Sequence, residues 1–143
     1  MGYCGQDDLL TRISEEELAE LTAESGSEVD SAVVGQAISE AGREIDSWCG
    51  GRYTVPFSPT PGLIRSLCID LALHRLYQRR DLGDQESRKS AADEARRLLK
   101  SISLGQAVVP GAESQLAPSA PAGAGVDITS APRRYTVDSM KDF

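Results

Sequence analysis

Apolar residues recur at every third or fourth position over most of the first hundred residues, a spacing that predicts helices. Leu9, Leu10 and Ile13 follow the acidic pair Asp7 and Asp8, so Gln6 to Ile13 reads as an opening helical segment with carboxylates at its positive end. Ser14, with Glu17 three residues on, makes a capping-box pattern ahead of Leu18 and Leu21 and predicts a short helix. After a polar, glycine-containing connection from Thr22 to Glu28, Asp30 is placed to cap a long helix with Val34, Ile38, Ala41, Ile45 and Trp48 on one face. Gly50 and Gly51 end that helix as C-terminal glycines do, and the prolines of Arg52-Tyr-Thr-Val-Pro-Phe-Ser-Pro-Thr-Pro61 demand extended backbone. Pro61 suits the first position of a third long helix, running to about Arg80. Leu63, Ile64, Leu67, Cys68, Leu71, Ala72 and Leu76 cover a wide arc, which Ile69, Leu73 and Tyr77 extend nearly all round, so this helix is expected at the centre with Leu67 to Leu71 buried against Trp48. Its basic end, Arg75, Arg79 and Arg80, complements the helix's own dipole. A fourth helix then runs to about Ser103, with Ala91, Ala92, Ala95, Leu98, Leu99 and Ile102 inward.

Beyond Gly105 the helical periodicity stops. Gly, Pro, Ala and Ser dominate through Ala131, a composition that cannot bury enough apolar surface to fold alone. Arg133-Arg-Tyr-Thr-Val-Asp138 then alternates in the manner of a strand, before the closing Ser139-Met-Lys-Asp-Phe143.

Composition sharpens this outline. A chain of 143 residues holds one core, and aromatic residues at 5% leave that core to Leu, Ile, Val and Ala, which favours helices over a β-sandwich. The net charge of −7 and a pI near 4.7 disfavour a protein that grips phosphate backbones, though an acidic wall suits one that lets a polyanion slide past. Three cysteines, Cys4, Cys49 and Cys68, without a CxxC pair or a neighbouring histidine, indicate neither a disulfide framework nor a zinc site and read as buried or idle thiols. The N-terminal residues lack the basic and apolar regions of a signal peptide, Gln6 stands where a myristoylation signal needs Ser or Thr, and no apolar run approaches the length of a membrane span.

Groups that carry chemistry are few. His74, the one histidine, sits on the central helix with no nucleophile or carboxylate placed around it and reads as structural. Asp7-Asp8 and Glu15-Glu16-Glu17 are paired by adjacency alone, at helix starts where the dipole already accounts for them. Gly50-Gly51-Arg52 follows a helix instead of opening one, unlike a phosphate-binding loop. Arg133-Arg134 is too short for a nucleic-acid patch and fits an acidic protein partner equally well.

Two blocks carry a family resemblance: Ala41-Gly-Arg-Glu-Ile-Asp-Ser-Trp-Cys-Gly-Gly-Arg-Tyr-Thr-Val-Pro-Phe57, and, after Pro61, Cys68-Ile-Asp-Leu-Ala-Leu-His-Arg-Leu-Tyr77. With the opening Tyr3-Cys-Gly-Gln-Asp-Asp-Leu-Leu10 and Glu17-Leu18, they resemble the Mu-like phage neck proteins, small helical proteins related to the head-tail connector adaptors of long-tailed phages. The resemblance covers about residues 3 to 105 and is most specific in the helix-GGRYTVP-helix block. It implies a helical protomer assembled into a ring, typically of twelve, stacked beneath the portal around the DNA channel, with a C-terminal arm reaching towards the portal.

The resulting expectation is an all-α fold: a small four-helix bundle over residues 1–104, a linker over 105–131 and an extended arm over 132–143 carrying a possible β-strand. No catalytic group, cofactor or metal is expected. The expected role is a head-to-tail adaptor of the virion neck, assembled in the bacterial host cytoplasm. Its expected partners are its own copies, the portal protein and a tail-side connector or tail terminator, with DNA passing without sequence-specific contacts and no membrane involved. Arg133, Arg134, Tyr135, Val137, Met140 and Phe143 are the candidate protein-binding residues of the arm, adding a strand to a neighbour, and the loop residues Arg52, Tyr53 and Phe57 are candidates for subunit contacts. The competing reading is a small non-enzymatic phage or prophage regulatory or binding protein acting as a monomer or dimer.

Overall fold

The first turn of a helix has backbone N–H groups with no partner inside the helix, and ahead of three helices of this chain a short polar side chain takes some of them up. The computed structural model describes residues 2–112 apart from Gly26 and Leu82, and five α-helices lie among them: α1 (Gln6–Leu9), α2 (Glu15–Thr22), α3 (Ser31–Cys49), α4 (Gly62–Arg79) and α5 (Gln85–Ser103). Ser14 accepts from the Glu17 N–H at 3.2 Å, Asp30 from Ala32 at 2.9 Å and Val33 at 3.3 Å, and Asp84 from Ser87 at 3.1 Å. α1 is a single turn whose Asp8 carboxylate accepts the Gly5 N–H at 2.8 Å. The fold is an all-helical bundle, as the periodicity predicts, with three long helices and two short ones at the N-terminal side.

α4 is the central element. Ten of its 18 residues are buried, from Ile64 to Tyr77, and it packs on α3 and α5, which also meet each other, and on α1 and α2. Val34, Ala37, Ile38, Ala41, Ile45 and Cys49 of α3 and Ala92, Ala95, Leu99 and Ile102 of α5 close over it. Leu9, Leu18 and Leu21 complete one continuous core. Each fully buried Leu or Ile contributes about 1.5–3 kcal/mol of transfer free energy, which makes α4 the main source of cohesion.

Several local expectations give way to tertiary packing. Trp48 is half-buried at the margin of the core, and Cys49, fully buried, takes the end of the α3 stripe. Gly50 terminates α3 in a right-handed conformation (φ −60°, ψ −20°), and what favours glycine is closeness, since a Cβ there would lie 2.9 Å from the Asp46 carbonyl oxygen. The left-handed glycine cap appears instead after α5, where Gly105 (φ +77°) lets the Gln106 N–H return to the Ser101 carbonyl at 2.8 Å. Pro61 is the residue before the first turn of α4, which begins at Gly62.

The basic end of α4 serves another helix than its own. Arg79 donates to the carbonyls of Thr22 at 3.1 Å and Leu21 at 3.4 Å, and Arg80 donates to that of Ala23, so both satisfy the C-terminal carbonyls of α2. The packed chain also runs past residue 104, because Val109 is buried and its N–H donates to the Tyr53 hydroxyl at 3.0 Å.

Candidate functional site

The loop between α3 and α4 is built on aromatic residues that face inward. Tyr53 and Phe57 are buried, with ring centroids 5.8 Å apart, and Tyr3 meets Phe57 edge-on at the same centroid distance. The Tyr3 hydroxyl donates to Asp46 on α3 and accepts the Phe57 N–H at 3.2 Å. Burial and the neighbouring Asp46 carboxylate push the Tyr3 phenol far above its ordinary range, which favours the protonated, donating hydroxyl. Three stretches distant in sequence meet here: the N-terminal segment, the α3–α4 loop and the segment after α5. The Val55-Pro56 and Ser58-Pro59 bonds in this loop are cis.

This geometry places the three loop candidates differently. Tyr53 and Phe57 are spent inside the fold, as anchors of its own corner, which leaves Gly51, Thr54, Pro56, Ser58 and Pro59 as the exposed residues of the loop. Arg52, half-buried, lies against Gly105, where a Cβ would overlap its guanidinium, and donates to the Ser103 carbonyl at 3.3 Å. Sequence reasoning missed that inward role, although the density of aromatic residues in a proline-bound loop was a signal for it. The arm residues Arg133, Arg134, Tyr135, Val137, Met140 and Phe143, with the linker before them, lie outside the described residues.

A second cluster joins the three long helices. Glu44 of α3 is clamped between Arg96 of α5 (Nε–Oε1 2.6 Å) and Arg75 of α4 (Nη2–Oε2 2.8 Å), and Arg75 also reaches Glu40 at 3.2 Å. Burial alone would raise the Glu44 pKa, but the hydrogen bonds and charges of Arg96 and Arg75 outweigh it and hold the carboxyl below its usual value. His74, next to this cluster, is buried, and burial followed by the nearby Arg96 pushes its pKa down, so it is held neutral. It lines a solvent-open groove of about 310 Å³ between α4 and α5, with Tyr77, Gln78, Gln85, Glu86 and Lys89.

Glu17 illustrates how the acidic residues divide. Its carboxylate accepts from the Tyr77 hydroxyl of α4 instead of returning to the cap, and burial, then that bond, pushes the Tyr77 phenol up to about 12. Glu15, Glu16 and Glu20 stay exposed on α2. No group of three His, Cys, Asp or Glu side chains suited to a metal ion occurs among the described residues, and no helix there is long and apolar enough to cross a membrane. The third constellation is a pair of thiols: Cys4 lies 3.3 Å from Cys68, sulfur to sulfur, between the N-terminal segment and α4.

Residues 3–128 match the model of a protein family described as Bacteriophage Mu, Gp36. Over 108 residues the chain is 28% identical to the Mu-like prophage FluMu protein gp36 of Haemophilus influenzae, an overlap that takes in 72% of this chain and 75% of that protein.

Proposed function

The chain belongs to the bacteriophage Mu Gp36 family, and from that premise we propose that it is a structural protein of the phage particle, a head-to-tail adaptor whose copies form a ring beneath the portal. The observation that carries this reading is the aromatic corner. The helix-GGRYTVP-helix block, on which the resemblance to neck proteins chiefly rests, is the place where Tyr3, Phe57, Tyr53 and Val109 lock three parts of the subunit together.

In this reading the role is not enzymatic. Part-buried polar side chains pair with each other in the Glu44 cluster, the Tyr3–Asp46 bond and the Tyr77–Glu17 bond. In this reading the acidic surface, including Glu15, Glu16 and Glu20, lets DNA pass through the ring without base-specific contacts. Head-to-tail contacts that close on themselves produce a ring, twelve-fold in this proposal, with the portal above and a tail-side connector or tail terminator below. The arm from Arg133 to Phe143 grips a neighbour by adding a strand, with Tyr135, Val137, Met140 and Phe143 as apolar anchors and Arg133-Arg134 pairing with carboxylates.

The test is to image intact particles carrying an antibody label against this chain. Label at the vertex where head meets tail supports the adaptor. Label elsewhere on the particle overturns it, and a chain found only outside particles supports a regulatory protein instead.

A further inference from the structure

Cys4 lies in the stretch before α1 and is half-buried, whereas Cys68 is fully buried on the inner side of α4. Their meeting is imposed by what surrounds Cys4. Gly2 packs so closely on Ile38 of α3 that a Cβ there would overlap that side chain, and Tyr3 is tied to Asp46 and Phe57. The segment has little freedom to carry its thiol elsewhere. The Cys4 S–H donates to the Cys68 sulfur, and the backbone N–H groups of Tyr3 and Cys4 also favour negative charge there, so the Cys68 thiol is pushed down while its donor is pushed up. Cys49 has no such surroundings, and burial, then Asp46, raises its thiol to about 11.

We propose that Cys4 and Cys68 form a dithiol site that closes to an intramolecular disulfide by exchange with a low-molecular-weight disulfide. Cys4 is the less buried of the two residues, so it is the one that an outside disulfide R–S–S–R meets first. The pair gives up its first proton from Cys68, whose thiolate then takes the Cys4 proton along the S–H···S bond as the Cys4 sulfur attacks one sulfur and displaces RS⁻, leaving a mixed disulfide. Cys68, directly behind, gives up that proton in turn, and its thiolate attacks the Cys4 sulfur and displaces the second RS⁻. The two thiol protons end on the two departing RS⁻ groups, so the protein loses two electrons and two protons and R–S–S–R is reduced to two RSH. The new bond closes a loop from residue 4 to residue 68 and staples the N-terminal segment to the central helix, a constraint on the unfolded chain. A reducing cytoplasm keeps the pair open and an oxidising medium closes it. This chemistry does not depend on the adaptor reading.

The experiment takes the full-length reduced protein through glutathione buffers of rising oxidised fraction, blocks the remaining thiols with an alkylating reagent, and digests the product for mass spectrometry. A peptide linked through Cys4 and Cys68 is expected, with Cys49 alkylated and a melting temperature raised by about 5 °C or more. Dithiothreitol should reverse both changes. Cys4→Ser and Cys68→Ser should each abolish the rise, and Cys49→Ser should keep it. Because a serine variant can weaken the fold by itself, the peptide map of the unaltered protein stands as an independent readout. Three alkylated thiols in the most oxidising buffer overturn the proposal, as do a stable glutathione adduct on Cys4, a link involving Cys49, or a disulfide between two copies.

Discussion

One hydroxyl, on Tyr3, serves two elements at once by donating to Asp46 on α3 and accepting from the Phe57 amide in the loop. Tyr3→Phe keeps the ring packing but leaves a buried N–H without its acceptor. It should cost about 1–3 kcal/mol, read as a fall of several degrees in melting temperature with the helical circular dichroism unchanged. A different residue sets the acid sensitivity. His74 has a folded pKa below its ordinary 6.5, so the unfolded chain binds a proton that the folded one refuses, and stability rises with pH across the interval between the two values. As pH drops below about 6.5, the melting temperature should decline, and His74→Gln should flatten that decline. The chain has no second histidine to blur the result. Below the ordinary carboxylate value of 4.5, loss of the Glu44 charge adds to the fall, because a depressed carboxyl contributes its stability only above its folded pKa.

Between helices, the joint at Glu44 is where α3, α4 and α5 are held in register. Glu44→Ala removes the acceptor from Arg96 and one of the two from Arg75. With the arginine side chains about one-third exposed, the loss should be about 1–2 kcal/mol, well short of what a fully buried pair would give. Chemical denaturation of the variant against the parent measures it. Helix packing yields a contrasting pair: Leu71→Ala, at the centre of α4, should cost about 2–5 kcal/mol, whereas Trp48→Ala, at the margin, should cost under about 2. These comparisons mark what was legible in the amino-acid order. Ser14, Asp30, the wide apolar face of α4 and the inward alanines of α5 could be read off because caps and periodicity act within a few residues. The Tyr3–Asp46 bond, the arginines of α4 that close off α2, and the exchange of Trp48 for Cys49 join or rank positions that only tertiary packing brings into relation. Tyr53 and Phe57 fell between: their residue types announced importance, but local pattern does not distinguish an anchor from a contact surface.

For the whole molecule, the described core from Tyr3 to Val109 is held by its own contacts, so removal of residues 132–143 should leave the melting temperature within about 2 °C of the parent. In the adaptor reading the same truncation blocks the joining of heads to tails, and normal yields of infectious particles from it would exclude the arm as a clasp. The aromatic corner has one more consequence. Tyr3 touches Phe57, Phe57 touches Tyr53, and Tyr53 holds Val109, so one run of contacts ties the first buried residue of the described core to its last. A gene rearranged to join Val109 to Tyr3 through a few glycines, and opened in the exposed turn ahead of α5, should therefore encode a circular permutant that folds to the same bundle. By the same reasoning, the turn ahead of α5 is the position at which an inserted reporter leaves the aromatic corner undisturbed.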